Sequence, residues 1–250
     1  MPRRPPTPGA RKRPRRPAAQ PGSPTARGEA VDPRLLLPAD FELGAPSLAH
    51  APPDSGREVA FAGRSNAGKS SVLNRLTGQR ALARTSRTPG RTQHLNFFRV
   101  DDAARLVDLP GYGYARADLE TRDAWQVHVE AYLSARQALV GVVLVMDVRH
   151  PFQPFDEQLI AWAGSSAIPL LVLLNKADKL GHGARADTLR SATERLRDTP
   201  TAEAILFSAL RGMGAETALR RVRQWLCLPE TPDGAASSGP QLVTGQDPDA

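Results

Sequence analysis

Gly63-Arg64-Ser65-Asn66-Ala67-Gly68-Lys69-Ser70 is the stretch on which the reading of this chain turns. It matches G-x-x-x-x-G-K-[ST] and lies between a β-rich run at 58–62 and a helical pattern at 69–76. Glycines let backbone N–H groups curl round phosphates, and the N-terminus of the following helix adds partial positive charge. Gly63, Arg64, Ser65, Asn66, Ala67 and Gly68 therefore read as the cradle, with Lys69 on the β- and γ-phosphates and the Ser70 hydroxyl on Mg2+. A chance glycine-rich turn would lack the flanking strand and helix.

Working outward, apolar runs alternate with helical patterns. Residues 95–100 and 105–108 read as two strands joined by the Asp101-Asp102 turn, and 122–136 has helical spacing. The Val/Leu run at 139–147 suits a strand buried on both faces, as does 169–174. A helix is expected over 155–163, another on the face marked by Leu189, Ala192 and Leu196, a strand over 204–207, and a last helix marked by Leu219, Val222, Trp225 and Leu226. Such alternation predicts an α/β fold: a six-stranded, mostly parallel sheet with helices on both faces. The strand at 95–100 should be the antiparallel exception, because its connection to 105–108 is too short for a crossover.

Three further motifs specify the chemistry. Asp108-Leu109-Pro110-Gly111 closes a strand; the aspartate can hold magnesium through water, and the Gly111 N–H can meet a γ-phosphate. D-x-x-G alone also describes a common turn, and its place downstream of the phosphate loop is what gives it weight. Asn175-Lys176-Ala177-Asp178 ends the buried strand at 170–174. A carboxylate at Asp178 can accept from N1–H and the 2-amino group of guanine, and adenine would leave it unpaired. Asn175 can brace the loop, and the Lys176 stem can cover the base. Phe207-Ser208-Ala209, after the last strand, would offer a backbone N–H to guanine O6. The ligand read from these motifs is GTP or GDP with Mg2+, in the order and spacing of a translation-factor-class P-loop GTPase.

Four stretches resemble the EngB family of ribosome-assembly GTPases. They are residues 53–62 (PDSGREVAFA), 85–93 (TSRTPGRTQ), 108–114 (DLPGYGY) and 146–151 (MDVRHP), within a similarity running from about 41 to 228. The resemblance implies binding of GTP and Mg2+, association with precursors of the 50S ribosomal subunit or its rRNA, and a requirement in cell division and septation. It also implies that Gly90, Arg91, Thr92, Gln93 and His94 form the first switch, with Thr92 as a second magnesium-binding hydroxyl. His94 stands where the family more often has an aliphatic residue, and Asn175 where some members have threonine. Lys69, Thr92 and Gly111 are the expected catalytic set.

Tyr112 takes the place after D-x-x-G where Ras-like enzymes carry a water-orienting glutamine, a task tyrosine cannot perform in the same way. Slow intrinsic hydrolysis completed by a partner, or charge supplied by another group, are the alternatives. Asn66 has two readings of equal weight: it coordinates a potassium ion (K+) that acts where an arginine finger would, or it only caps the loop. Trp125 and Trp162 read as packing residues and His128 as a helix-surface residue. Cys227 reads as a small buried hydrophobe. Arg149-His150-Pro151 follows a strand at the sheet edge where ligands bind, without an assignable role.

Composition sets the outer bounds. The chain has 250 residues, 40% hydrophobic, with one cysteine, so an intramolecular disulfide is excluded and a reducing, cytoplasmic setting is expected. No apolar run approaches the ~18–20 residues that span a bilayer. The net charge of +7 resides in residues 1–30, which hold eight Arg/Lys against Glu29. That stretch is Arg-rich and acid-poor like a mitochondrial transit peptide, but its eight prolines, single serine and lack of an apolar helical face argue against one. The expected layout is a basic Pro/Arg-rich disordered tail at 1–33, a GTPase domain at 34–228 and an acidic disordered tail at 229–250, acting as a monomer without a membrane. A GTP-gated switch for a cell-division partner, and a module in which the basic tail chiefly binds RNA, are the competing readings.

Overall fold

The computed structural model describes residues 30–83, 94–112 and 128–229. Residues 1–29, 84–93, 113–127 and 230–250 lie outside these, and with them most of both expected tails and Gly90, Arg91, Thr92, Gln93 and Trp125. Seven strands form one sheet: β1 (Asp40–Ala45), β2 (Arg57–Gly63), β3 (Leu95–Arg99), β4 (Ala104–Asp108), β5 (Leu139–Asp147), β6 (Leu170–Asn175) and β7 (Ala202–Leu206). The helices are α1 (Lys69–Thr77), α2 (described over 128–135), α3 (Pro154–Ser165), α4 (His182–Arg195) and α5 (Ala215–Trp225).

The strand order is β1-β3-β4-β2-β5-β6-β7. β3 is antiparallel to both β4 and β1, and the other printed pairings are parallel, so β3 is the single reversed strand. The count of seven corrects the expected six. The strand missing from the sequence reading is β1, Asp-Phe-Glu-Leu-Gly-Ala, which has no β-branched residue and leaves Asp40 and Phe41 exposed. Its pairing with β3 and the Arg105 Nε–Glu42 Oε2 bond of 2.8 Å to β4 hold it in place, and neither is visible in local pattern.

Alternation along β2 feeds two cores. Val59 and Phe61 join Val72, Leu73 and Leu76 of α1 and Ala218, Leu219 and Val222 of α5 on one face. Ala60 and Ala62 join Tyr132, Leu159, Ile160 and Ala192 of α2, α3 and α4 on the other. Helices thus cover both faces. Among the described residues, no helix is long and apolar enough to cross a membrane.

One charged cluster interrupts this apolar plan. Glu58, fully buried at the start of β2, accepts from Arg136 Nη2 at 2.6 Å, Arg136 Nε at 2.9 Å and the Tyr132 hydroxyl at 3.0 Å. Arg136 also donates to the Pro52 carbonyl at 2.9 Å. Taking either charge away would leave a buried group with only longer ion pairs, Arg136 to Asp54 at 3.5 Å or Glu58 to Arg105 at 4.0 Å, a costly state. The cluster pins the end of α2 to the base of β2, at the sheet edge opposite the phosphate loop.

Smaller expectations divide. Trp162 is partly buried against the second core and His128 is half-buried on α2. Cys227, expected to be buried, is exposed. The chain turns into the left-handed region there (φ 56°), so Leu226 and Leu228 take the inward positions and the thiol faces out.

Candidate guanine-nucleotide site

The expected motifs meet at one edge because their strands end there together. Register pairs Phe61 with Asp108, Gly63 with Val145, Asp147 with Asn175, and Leu174 with Leu206. That edge is the carboxyl end of the parallel strands, where α/β sheets place ligands.

The loop from Gly63 to Ser70 needs its glycines for space as well as for φ. A Cβ on Gly68 (φ 102°) would stand 2.4 Å from Asn175 Nδ2, and one on Gly63 (φ 153°) would stand 2.4 Å from the Val145 carbonyl oxygen. Asn66 is exposed at φ 67°, a conformation for which asparagine is enriched. Among the described residues, the N–H groups of Asn66, Gly68, Lys69 and Ser70 have no protein acceptor. This row of free donors at the start of a nine-residue helix is what an anionic phosphate chain would satisfy. The Ser65 and Ala67 N–H groups are the exceptions, donating to the Tyr112 carbonyl at 2.8 Å and to the Arg64 carbonyl at 3.0 Å.

Lys69 Nζ donates to Asp108 Oδ1, and both side chains are nearly buried. The ammonium occupies the carboxylate where a divalent cation would sit. With the Ser70 hydroxyl on the first turn of α1, the donors are hard oxygens suited to Mg2+. Leu109 is buried and its N–H donates to the Phe61 carbonyl at 3.0 Å, which extends the β2–β4 alignment into the D-x-x-G turn and carries Pro110 and Gly111 toward the loop.

Asn175 acts as the brace its position suggested: Nδ2 donates to the Ala67 carbonyl at 2.8 Å, and Oδ1 accepts the Ala209 N–H at 3.2 Å. The N–H expected to face guanine O6 is thus shared with Asn175 in this structure. Ala177 N–H donates to the Phe207 carbonyl at 3.0 Å, locking the two base-side loops together. Asp178 accepts from the Ser208 hydroxyl at 2.6 Å and faces Lys179 Nζ at 3.5 Å. Burial pushes its carboxyl up, but these two groups outweigh that and hold it below the usual carboxylate range. The group is therefore an anion at neutral pH, with capacity left for two donors. His94 is exposed at the start of β3, beside the edge strand.

Asp147 is the residue that sequence reasoning missed. It accepts from Arg149 Nη2 at 2.6 Å and from Lys176 Nζ at 2.9 Å, while Lys176 Nζ also donates to the Asn66 carbonyl at 2.6 Å. Arg149's bonds lead, with Lys176 adding and burial opposing, and the Asp147 carboxyl is held far below its ordinary value. Arg149, without a role in the sequence, thus clamps the carboxylate that orients Lys176. The signal available was MDVRHP itself, ending a strand in the middle of the sheet.

A phosphate loop alone would admit any nucleoside triphosphate. Asp178, anionic and braced beside that loop on a sheet of this order, restricts the class to P-loop GTPases. Residues 58–176 match the family model described as 50S ribosome-binding GTPase. A protein named probable GTP-binding protein EngB in Psychromonas ingrahamii is 49% identical over 202 residues, 79% of this chain and 93% of the relative. Its namesake in an Enterobacter species is 51% identical over 187 residues, 74% of this chain and 90% of the relative. This chain belongs to the EngB family and is a GTPase. The crystal structure of a probable GTP-binding protein engB shares the fold at a TM-score of 0.56 and 23% identity, covering 68% of this chain and 98% of that one. Era, solved in complex with MgGDPNP and a 16S ribosomal RNA segment, shares it at 0.52 and 21%, covering 72% of this chain and 58% of that one.

Proposed function

We propose that this protein is a magnesium-dependent GTP switch whose GTP state docks on precursors of the large ribosomal subunit in the cytoplasm, as a monomer, and is needed for normal cell division and septation. The observation that carries the nucleotide part is the meeting of free loop N–H groups, Lys69–Asp108 and Asp178 at one sheet edge. Membership of a family with a ribosome-binding model supports the partner. Ser70, Thr92 and Asp108 would hold the ion, which supplies charge neutralisation at the β- and γ-phosphates. Gly63 to Ser70 cradle the phosphates, Gly111 N–H meets the γ-phosphate, and Gly90 to His94 form the first switch. Asn175 to Asp178 with Phe207, Ser208 and Ala209 select guanine.

Co-sedimentation with 50S precursors tests the docking. Binding is expected with a non-hydrolysable GTP analogue and not with GDP. Equal recovery in both states would favour the second reading, a GTP-gated switch for a cell-division protein. The basic tail is proposed to add sequence-independent phosphate contacts. Deleting residues 1–30 is then expected to leave GTP turnover unchanged and to flatten the salt dependence of particle binding, by about 0.7 log unit per lost contact on single-stranded RNA. An unchanged salt slope would remove the tail from the binding surface.

Asn66 is proposed to hold potassium near the phosphates, since its exposed side chain at the mouth of the loop has no protein partner among the described residues. Turnover in KCl should then exceed that in NaCl by about tenfold, a barrier change of about 1.4 kcal/mol. Equal rates in the two salts would leave Asn66 as a residue chosen for its backbone conformation alone.

A further inference from the structure

Tyr112 follows the D-x-x-G turn, and its two ends are held by different parts of the domain. Its carbonyl accepts the Ser65 N–H at 2.8 Å, and Arg64 and Tyr112 form an isolated parallel bridge beyond the β2–β4 ladder. Its ring, 4% exposed, stacks on Phe155 with centroids 4.9 Å apart, and its hydroxyl donates to Asp156 Oδ1. Asp156 is itself buried, and its other oxygen accepts the Gln153 N–H at 2.8 Å in the capping box that starts α3. The neighbouring Gly111 lies close against the loop: a Cβ there would stand 3.4 Å from Ser65 N and 3.6 Å from the Gly63 carbonyl oxygen. The phosphate loop, the D-x-x-G turn and the first turn of α3 are thus joined through one residue.

We propose that Tyr112 is a positioning residue that sets the preference between GTP and GDP, acting as a latch that stays closed with GDP and opens when a γ-phosphate is bound. The inference rests on the reading that Gly111 N–H meets the γ-phosphate. The Gly111 N–H belongs to the Pro110–Gly111 peptide unit, and the Gly111 Cα is common to that unit and to the Gly111–Tyr112 unit, so displacing Gly111 toward a phosphate carries the Tyr112 backbone with it. That motion takes the Tyr112 carbonyl off Ser65 and pulls the hydroxyl away from Asp156. A buried carboxylate and a buried hydroxyl separated from each other are costly. GTP binding carries that cost and GDP binding does not, and only such a difference between states lets a ligand shift their balance. The side chain that replaces the water-orienting glutamine therefore works on the ground states of the switch, facing α3 rather than the phosphates.

The test is equilibrium binding of fluorescent GDP and of a non-hydrolysable GTP analogue to the full chain and its variants. Tyr112→Phe keeps the stacked ring and loses the bond to Asp156. It is expected to bind the analogue about tenfold more tightly, the worth of one hydrogen bond to a charged acceptor, with GDP affinity within about twofold of the parent. Asp156→Asn weakens the same bond while keeping an acceptor for the Gln153 N–H, and should shift the ratio in the same direction by a smaller factor. An unchanged ratio in both variants, or parallel shifts for the two nucleotides, overturns the latch. Gly111→Ala separates this from the underlying reading: it should weaken the analogue and spare GDP. If it spares both while Tyr112→Phe shifts the ratio, the γ-phosphate contact of Gly111 is wrong and the latch mechanism falls with it, leaving Tyr112 only as a residue that sets the nucleotide preference.

Discussion

Lys69→Ala is expected to abolish GTP turnover, lowering it by at least ~10²–10³-fold, the scale seen when one preorganised charge-stabilising donor is removed from a transition state. It should also weaken nucleotide binding in the absence of metal, because the ammonium contributes its charge directly to the phosphates. The structure adds a consequence for the free protein. Lys69 and Asp108 pair with each other in a nearly dry setting, so the variant leaves the Asp108 carboxylate without its partner. Breaking a buried pair from one side costs about 3–5 kcal/mol, which thermal unfolding of the nucleotide-free protein would register. Ser70→Ala separates the two roles. It also abolishes turnover, but the free protein should melt as the parent does, and the loss should appear as weakened dependence on Mg2+. Single-turnover hydrolysis, binding with and without Mg2+, and melting curves distinguish these outcomes. Turnover within tenfold of the parent in Lys69→Ala would remove Lys69 from the catalytic set.

The second large effect is a change of base. Asp178→Asn should cost GTP at least ~2–3 kcal/mol, as for a buried polar group left without its partner, and should gain affinity for XTP. In the proposed site the carboxylate would accept from guanine N1–H and the 2-amino group, whereas the amide would donate to the 2-oxo group of xanthine. The surroundings favour a clean result. Asparagine has the same shape, and the Ser208 hydroxyl that now donates to Oδ1 at 2.6 Å can donate to an amide oxygen equally well. Lys179 stands at the surface and tolerates loss of its partner. Competition of GTP, XTP and ATP against a fluorescent nucleotide reads the switch directly. Unchanged GTP affinity with unchanged base preference would show that guanine is read elsewhere.

Both predictions rest on residues legible in the sequence, and the reason is local. The phosphate loop works through consecutive backbone groups, so its chemistry is written in eight adjacent residues. D-x-x-G and Asn175-Lys176-Ala177-Asp178 likewise act from single turns at strand ends, and buried runs such as 139–147 announce the strands that carry them. The parallel sheet, the reversed β3 and helices on both faces followed from the same patterns.

Other features were set by partners far along the chain, which periodicity does not register. β1 is a strand because β3 and Glu42–Arg105 make it one, and its own residues have weak strand preference. Glu58 looks like a lapse in an apolar strand until Tyr132 of α2 and Arg136 just after it are brought to it. Cys227 sits in an apolar stretch and still faces solvent, since a single left-handed residue reversed its direction. Tyr112 was legible as a missing glutamine but not as a group lodged against Asp156, and Asp147 not as the carboxylate that orients Lys176. By itself the sequence determined which chemistry this protein has, that of a GTPase, and which residues are proposed to carry its phosphate and base contacts, because each motif needs only its own turn. Tertiary structure alone decided how those turns are coupled, because hydrogen bonds such as Asn175–Ala67 and Lys176–Asn66 form only when sheet register brings distant strand ends side by side.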